Sequence, residues 1–230
     1  MPAAPPLHLR LNGAELVADP SGALAWPAER TLVVADLHFE KGSSFARLGV
    51  LLPPYDTRAT LDRLDAAIAR YLPRRIICLG DSFHDGEGAS RLPPEESRRL
   101  GALVARHDWI WIAGNHDPAP PDHIGGAIAA DGLTLGPLAF RHCAAPGAAA
   151  GEVSGHYHPK ASLWVRARRL SGRCFLADER RIILPAFGAY AGGLDARDPA
   201  LAALFPRGCA IHFIGRDRIA TIALDGLETA

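Results

Sequence analysis

"WIWIAGNHD", Trp109 to Asp117, sets an apolar run directly against an amide, an imidazole and a carboxylate. Buried without partners, such groups would cost several kcal/mol each, so this strand end needs water, hydrogen bonds or a cation. Two earlier stretches repeat the pattern. Leu32-Val33-Val34-Ala35 runs into Asp36-Leu37-His38, and Ile76-Ile77-Cys78-Leu79 runs into Gly80-Asp81-Ser82-Phe83-His84-Asp85. Continuous apolar runs without polar alternation suit strands covered on both faces.

Helical periodicity separates the three runs. Leu61, Leu64, Ile68 and Leu72 recur at helix spacing, with Asp56 or Thr57 as N-cap and Pro73 as stop. Pro94-Glu95-Glu96 reads as a helix first turn, with Leu100, Leu103 and Val104 on one face. Strand and helix in alternation predict βαβ units and an at least partly parallel sheet. Before them, Leu7–Leu11 and Ala14–Val17 flank Asn12-Gly13, a hairpin signal. After about residue 130 the texture changes to short strand candidates: 153–154, 163–165, 174–176, 182–184, 211–214 and 219–224, with Gly215-Arg216-Asp217 as a turn. Ala144 to Gly151 reads as a flexible loop that could gate a site. The expectation is an α/β chain with two sheets in a single domain over 1–230, including the hairpin at 7–18 and the strands of 172–224.

Bulk properties narrow the class. The chain has 230 residues, 48% of them hydrophobic, and zero formal net charge, so it is globular and has no global field to recruit nucleic acid or membrane. The N-terminus lacks a basic-then-apolar leader, and no apolar run reaches membrane-spanning length. Cys78, Cys143, Cys174 and Cys209 form no C-x-x-C pair, so reduced thiols in a cytoplasmic protein are expected.

The polar strand ends gather candidate ligands: Asp36, His38, Asp81 and Asn115, joined later by His142 and by the Gly155-His156-Tyr157-His158 stretch. In Asp36/His38 and in His156/His158, a spacing of two places both side chains on one face of an extended segment. Singly these are caps and turns; together, in this order, they predict a shared metal site. Carboxylates, imidazoles and an amide without thiolate suit manganese, iron or zinc rather than calcium. Seven ligands are too many for one ion and predict two, bridged by a carboxylate, about 3.5–4 Å apart.

The ordered set D-x-H, G-D, G-N-H-D and G-H-x-H resembles the calcineurin-like metallophosphoesterase superfamily. "VVADLHFEKGSSFARLG", "CLGDSFHD", "GHYHPKA" and "LPAFGAYAGG" are similar to the bacterial DNA-ligase-associated (PdeM-like) phosphoesterases. That resemblance implies a four-layer αββα sandwich. It implies Asp36, His38 and His158 on one metal, Asn115, His142 and His156 on the other, Asp81 bridging, and His116 as the acid that protonates the leaving group. His84, in G-D-S-F-H, matches the repair nucleases of the superfamily and implies a catalytic role on phosphodiesters. The implied activity is hydrolysis by a hydroxide held between two divalent ions, most naturally Mn2+ with Fe or Zn as alternatives. The implied setting is a DNA nuclease in repair, beside a DNA ligase and a helicase. Two positions depart from the subgroup: Cys143 where an acidic residue is usual, and Ala191 where threonine is usual.

Substrate contacts are expected from Asn115, Lys41 and Tyr190. Lys160, Arg166, Arg168, Arg169, Arg173, Arg180 and Arg181 concentrate basic charge that could track a nucleic-acid backbone. Two other readings stay open: a small-molecule phosphodiesterase or phosphomonoesterase, for instance on cyclic nucleotides, and a non-catalytic metal-stabilised scaffold of a repair complex.

Overall fold

A computed structural model describes residues 5–118, 122–147, 150–165, 168–216 and 218–223; side chains of 122, 163–165, 168 and 223 are outside the description. In the first sheet, β1 (Leu7–Leu11), β2 (Ala14–Ala18), β3 (Leu24–Trp26), β4 (Thr31–Val34), β5 (Arg75–Cys78), β6 (Asp108–Ile112) and β7 (Ala127–Ala129) lie in that order. β1 to β4 pair antiparallel and β4 to β7 parallel. Asn12 and Gly13 both take left-handed φ, as the tight β1–β2 turn requires.

The period-two pleat assigns each apolar side chain to a layer. Leu32, Val34, Ile76, Cys78, Trp109 and Trp111 face a helical layer. There they meet Leu61 and Leu64 of α2 (Asp56–Tyr71) and Leu100, Leu103 and Val104 of α4 (Pro94–Arg106). The alternate residues Val33, Ala35, Ile77, Leu79, Ile110 and Ile112 face the second sheet, packing with Phe140, Val153, Phe175, Ile182 and Leu184.

The second sheet is built from β8 (Leu133–Leu135), β9 (Leu138–Arg141), β10 (Glu152–Ser154), β12 (Arg168–Ala177), β13 (Arg181–Ile183), β14 (Ala210–Ile214) and β15 (Ile219–Ala223). Their order is β15-β14-β12-β13-β10-β9-β8, and β11 (Lys160–Val165) adds to β12. Its outer face is covered by Ala196, Leu201, Leu204 and Phe205, so the fourth layer is α5 (Pro199–Ala202) and its irregular flanks. The fold is therefore α/β with two sheets between helical layers, the outer one reduced to a single turn.

Several local expectations change. α2 is preceded by Tyr55, not capped by Asp56 or Thr57. Both side chains are committed elsewhere: Asp56 accepts from Gly42 N, and the Thr57 hydroxyl donates to Glu40 Oε1. They tie α2 to α1 (Lys41–Arg47), a helix the periodicity did not announce, and the single turn α3 (Gly88–Arg91) precedes α4. At the other end, Leu72 closes α2 with left-handed φ before Pro73. The described parts of the 144–151 loop are anchored: Ala144 is buried, while Ala145 donates to Glu152 and accepts from Arg181. Ala148, Ala149, Arg166, Asp217 and Leu224 fall outside the described residues. Among those described, no helix is long and apolar enough to cross a membrane, and the four cysteines are unpaired.

Candidate metal centre

The parallel strands β4, β5 and β6 end on one side, where ligands of open α/β sheets gather. Asp36 and His38 follow β4, Asp81 follows β5, and Asn115 and His116 follow β6. From the second sheet, β9 delivers His142 and β10 delivers His156 and His158.

The convergence does not come from strand alternation. Asp36 (φ 53°), His38 (φ 45°), Asp81 (φ 47°), His156 (φ 71°) and His158 (φ 46°) are all left-handed, outside regular strands. In D-x-H and in the H-x-H of 156–158 the backbone is left-handed at both polar positions, which corrects the extended-segment expectation. Such conformations cost of order 1 kcal/mol or more per residue and cluster where a site demands them.

Buried backbone bonds hold the turns. His38 N donates to Asp81 O (2.9 Å), and Gly155 N donates to His142 O (2.9 Å). The Asp36 carboxylate accepts from His156 N, and Asp81 Oδ1 accepts from His116 N (2.8 Å). Phe187 N and Gly188 N donate to Ala35 O and Asp36 O, so the "LPAFG" segment braces the first ligand turn from behind. Gly80 is left-handed (φ 80°), and a Cβ there would lie 2.5 Å from His142 Nδ1; only glycine fits.

Two clusters of candidate ligand atoms result, beside a third group of close imidazoles, His38, His84 and His116. In one, His38 Nε2 and His158 Nε2 are 3.2 Å apart, and His158 Nε2 is 3.4 Å from Asp36 Oδ1. In the other, His142 Nε2 lies 2.9 Å from Asn115 Oδ1, 3.1 Å from His156 Nδ1 and 3.5 Å from Asp81 Oδ2. Separations of about 3 Å are the ligand–ligand edges expected around an ion with bonds of about 2.1 Å. Leu79 O, 2.8 Å from His142 Nδ1, fixes the ring so that Nε2 points into the cluster. There Nε2 and the carbonyl oxygen of Asn115 lie side by side, two atoms able to share a divalent ion. Burial, then the neighbouring His158, hold the His38 imidazole down at about 2, so it offers a neutral nitrogen. Burial likewise lowers His156. The donor set fits divalent metal ions.

Around the clusters, His84 Nδ1 is 3.4 Å from His38 Nδ1, and the His84 ring stacks on His116 at 5.0 Å. His116 is exposed, and its Nδ1 lies 2.8 Å from His84 O. Burial, with Lys41 next, lowers His84 to about 4. Lys41 is half-buried over Phe45, which also packs on His84, and burial followed by the charge of Lys160 lowers its amine. Tyr190 is 43% exposed with left-handed φ.

The basic stripe does not form as expected. Arg173 turns inward to donate to Ala186 O, and Arg181 is buried against Glu152. Their guanidiniums are held inside, by Ala186 O for Arg173 and by Ala145 O and the Glu152 carboxylate for Arg181, and so cannot line an outer edge. Arg169 and Arg180 are exposed and Lys160 is half-buried; Arg166 and the side chain of Arg168 are outside the described residues. Cys143 Sγ lies 3.2 Å from Tyr157 Oη rather than against His142.

One residue of the opening stretch was given no role. Asp117 is 2% exposed and accepts from Ser82 N (2.8 Å) and Phe83 N (3.0 Å). Burial is the main cause raising it to about 7. A carboxylate closing a cluster after a buried strand was the available signal.

Among solved structures, the chain is similar to the Pseudomonas putida nuclease MPE, with 29% identity over 95% of this chain and 100% of that one and a TM-score of 0.74. It also aligns with Yfce, a phosphoesterase from E. coli, at 12% identity and TM-score 0.43 over 86% of this chain and 99% of that one. No curated protein matches with significance. Residues 29–178 match the calcineurin-like phosphoesterase model, so the chain belongs to that family and is a metal-dependent phosphoesterase.

Proposed function

We propose that the chain is a binuclear metal-dependent phosphodiesterase that cleaves DNA. The observation that carries the reading is the pair of ligand clusters meeting at the ends of β4, β5, β6, β9 and β10, with His116 beside them. Asp36, His38 and His158 would hold one ion; Asn115, His142 and His156 would hold the other, and Asp81 would serve both. Bound divalent ions, manganese being the best match to this oxygen-and-nitrogen set, would supply a nucleophile at neutral pH and neutralise charge on the phosphate.

The protein's own groups complete the chemistry. His116 Nδ1 is committed to the His84 carbonyl, so Nε2 is the atom that gives a proton to the departing oxygen. Lys41 and the Asn115 amide can donate to non-bridging phosphate oxygens. Tyr190 borders the substrate side, and His84 orients His38 and His116. Similarity to a nuclease supports nucleic acid as substrate. Work in the cytoplasm alongside a ligase and helicase follows from the subgroup resemblance. The whole chain would act as one unit, because both sheets supply ligands.

A second reading, a small-diester hydrolase, is favoured by one feature: the inward turn of Arg173 and Arg181 removes part of the basic track. Turnover of single-stranded DNA against a chromogenic diester with manganese separates the two. Hydrolysis of DNA lost in His116→Ala supports the nuclease reading; cleavage of the small diester alone supports the second. No hydrolysis with any divalent ion overturns both.

A further inference from the structure

We propose that Asp117 is a positioning residue: its carboxyl oxygen is the built-in acceptor of a backbone nest that holds the Asp81 turn in its ligating shape. The inference rests on the proposed binuclear reading.

Gly80 and Asp81 are consecutive left-handed residues, with φ 80° and 47°. The left hand ends at Asp81, since Ser82 is not left-handed, and such a change of hand between neighbours turns successive N–H groups toward one point, a concavity that binds anions. Here Ser82 N and Phe83 N both donate to Asp117 Oδ2, at 2.8 and 3.0 Å. The acceptor is supplied by the protein, from the loop after the neighbouring strand. Asp117 Oδ1, buried as well, lies 2.8 Å from where a Gly114 Cβ would sit, and that same point is in hard contact with Asp81 N and Oδ1. The two loops are therefore in direct apposition, with no side chain between them.

The clasp is reciprocal. Asp117 takes amides from the Asp81 loop, while Asp81 Oδ1 takes the His116 amide at 2.8 Å. Asp81 Oδ1 is thereby fixed, and Oδ2 is turned toward His142 Nε2. The same bond fixes the backbone of His116, so one carboxylate sets both a ligand and the proton donor beside it. Asp117 itself is in no candidate ligand cluster among the described residues and is shielded from solvent. It acts through Asp81.

The test compares Asp117→Asn and Asp117→Ala with Asp19→Asn, a control at a buried carboxylate whose partners, Ser21, Arg70 and Tyr71, are not candidate ligands. Manganese binding is followed by calorimetry and by the electron paramagnetic resonance of free Mn2+, with kcat and KM on a chromogenic diester. Asparagine keeps one acceptor oxygen but sets an N–H donor beside the Asp81 amide. Asp117→Asn is expected to weaken manganese binding about 10–100-fold and to lower kcat similarly with KM little moved, since partners behind a ligand carry effects of that size. Asp117→Ala should lose more, and Asp19→Asn should bind manganese as wild type does. Wild-type manganese affinity and kcat in folded Asp117→Asn would overturn the proposal, as would equal metal loss in Asp19→Asn. A wild-type protein that binds no manganese would instead overturn the binuclear reading itself. If Asp117→Ala does not fold, Asp117→Asn decides.

Discussion

Replacing Gly80 by alanine tests how closely the ligand turns are fitted. A Cβ at Gly80 would lie 2.5, 2.7 and 2.9 Å from Nδ1, Cγ and Cβ of His142. Ordinary contact begins at 3.4 Å, so the Nδ1 approach is short by 3.4 − 2.5, or 0.9 Å. The imidazole has no slack to give. It is 9% exposed, its Nδ1 is bonded to Leu79 O at 2.8 Å, and Nε2 faces the other ligand atoms. The left-handed φ of 80° adds its own penalty. Overpacking of about 1–3 kcal/mol and a left-handed alanine at about 1 kcal/mol give a loss of about 2–4 kcal/mol. At about 2–4 °C per kcal/mol for a chain of this size, the thermal midpoint should fall by about 10 °C. A displaced His142 should also weaken manganese binding about 10–100-fold. Gly101→Ala is the matched control, since a Cβ there meets nothing within 4 Å and the position lies inside α4. That change should raise stability by about 0.5–1 kcal/mol. Differential scanning calorimetry with and without manganese reads both variants. A Gly80→Ala protein as stable as wild type with unchanged metal affinity would refute the reasoning.

Other expectations follow from single contacts. His116→Ala should lower kcat about 10²–10⁴-fold while metal content, read by mass spectrometry, stays at the wild-type level; metal loss would contradict the proton-donor role. Leu72 ends α2 in a left-handed conformation while 67% exposed, so Leu72→Gly should gain about 1 kcal/mol in urea denaturation. Asp19 accepts from Ser21 N, Tyr71 Oη and Arg70 Nη1, and Asp19→Asn should lose about 1.5–3 kcal/mol at pH 7. Burial raises the Asp19 carboxyl, but the Ser21 and Tyr71 bonds and the Arg70 charge outweigh it and leave it below its usual 3.8. A lowered folded-state value means the stabilisation is present above pH 3.8 and is lost as pH falls through the folded value. The gap between wild type and Asp19→Asn in denaturant should therefore hold down to about pH 5 and close in stronger acid.

The order of strands and helices through β6 was legible because it depends on local pattern. Leu32-Val33-Val34-Ala35 divides by the pleat into a helix-facing pair and a sheet-facing pair, and continuous apolarity is the chemical record of that division. The candidate ligand residues stood out for a related reason: no packing argument calls for Asp, Asn and His at the ends of buried strands. Short elements left weaker marks. β3, Leu24–Trp26, has too few residues to show a period, and α1 is held by Asp56 and Thr57 from another helix. The expected caps failed because tertiary partners outbid the adjacent helix turn for the same oxygens.

Composition along the chain named the side chains, since charge and hydrophobicity belong to each residue wherever it lies. Only the folded arrangement decided their partners. Arg173 and Arg181 look like surface cations until Ala186 O and Glu152 are seen to claim them. Asp117 looks like the tail of a motif until Ser82 and Phe83 turn their amides toward it. Left-handed turns at Asp36, His38, Asp81, His156 and His158 aim the candidate ligands, and L-residues seldom adopt them on local preference alone. Packing between two sheets imposes them, because the energy that offsets their strain comes from contacts distant in the chain.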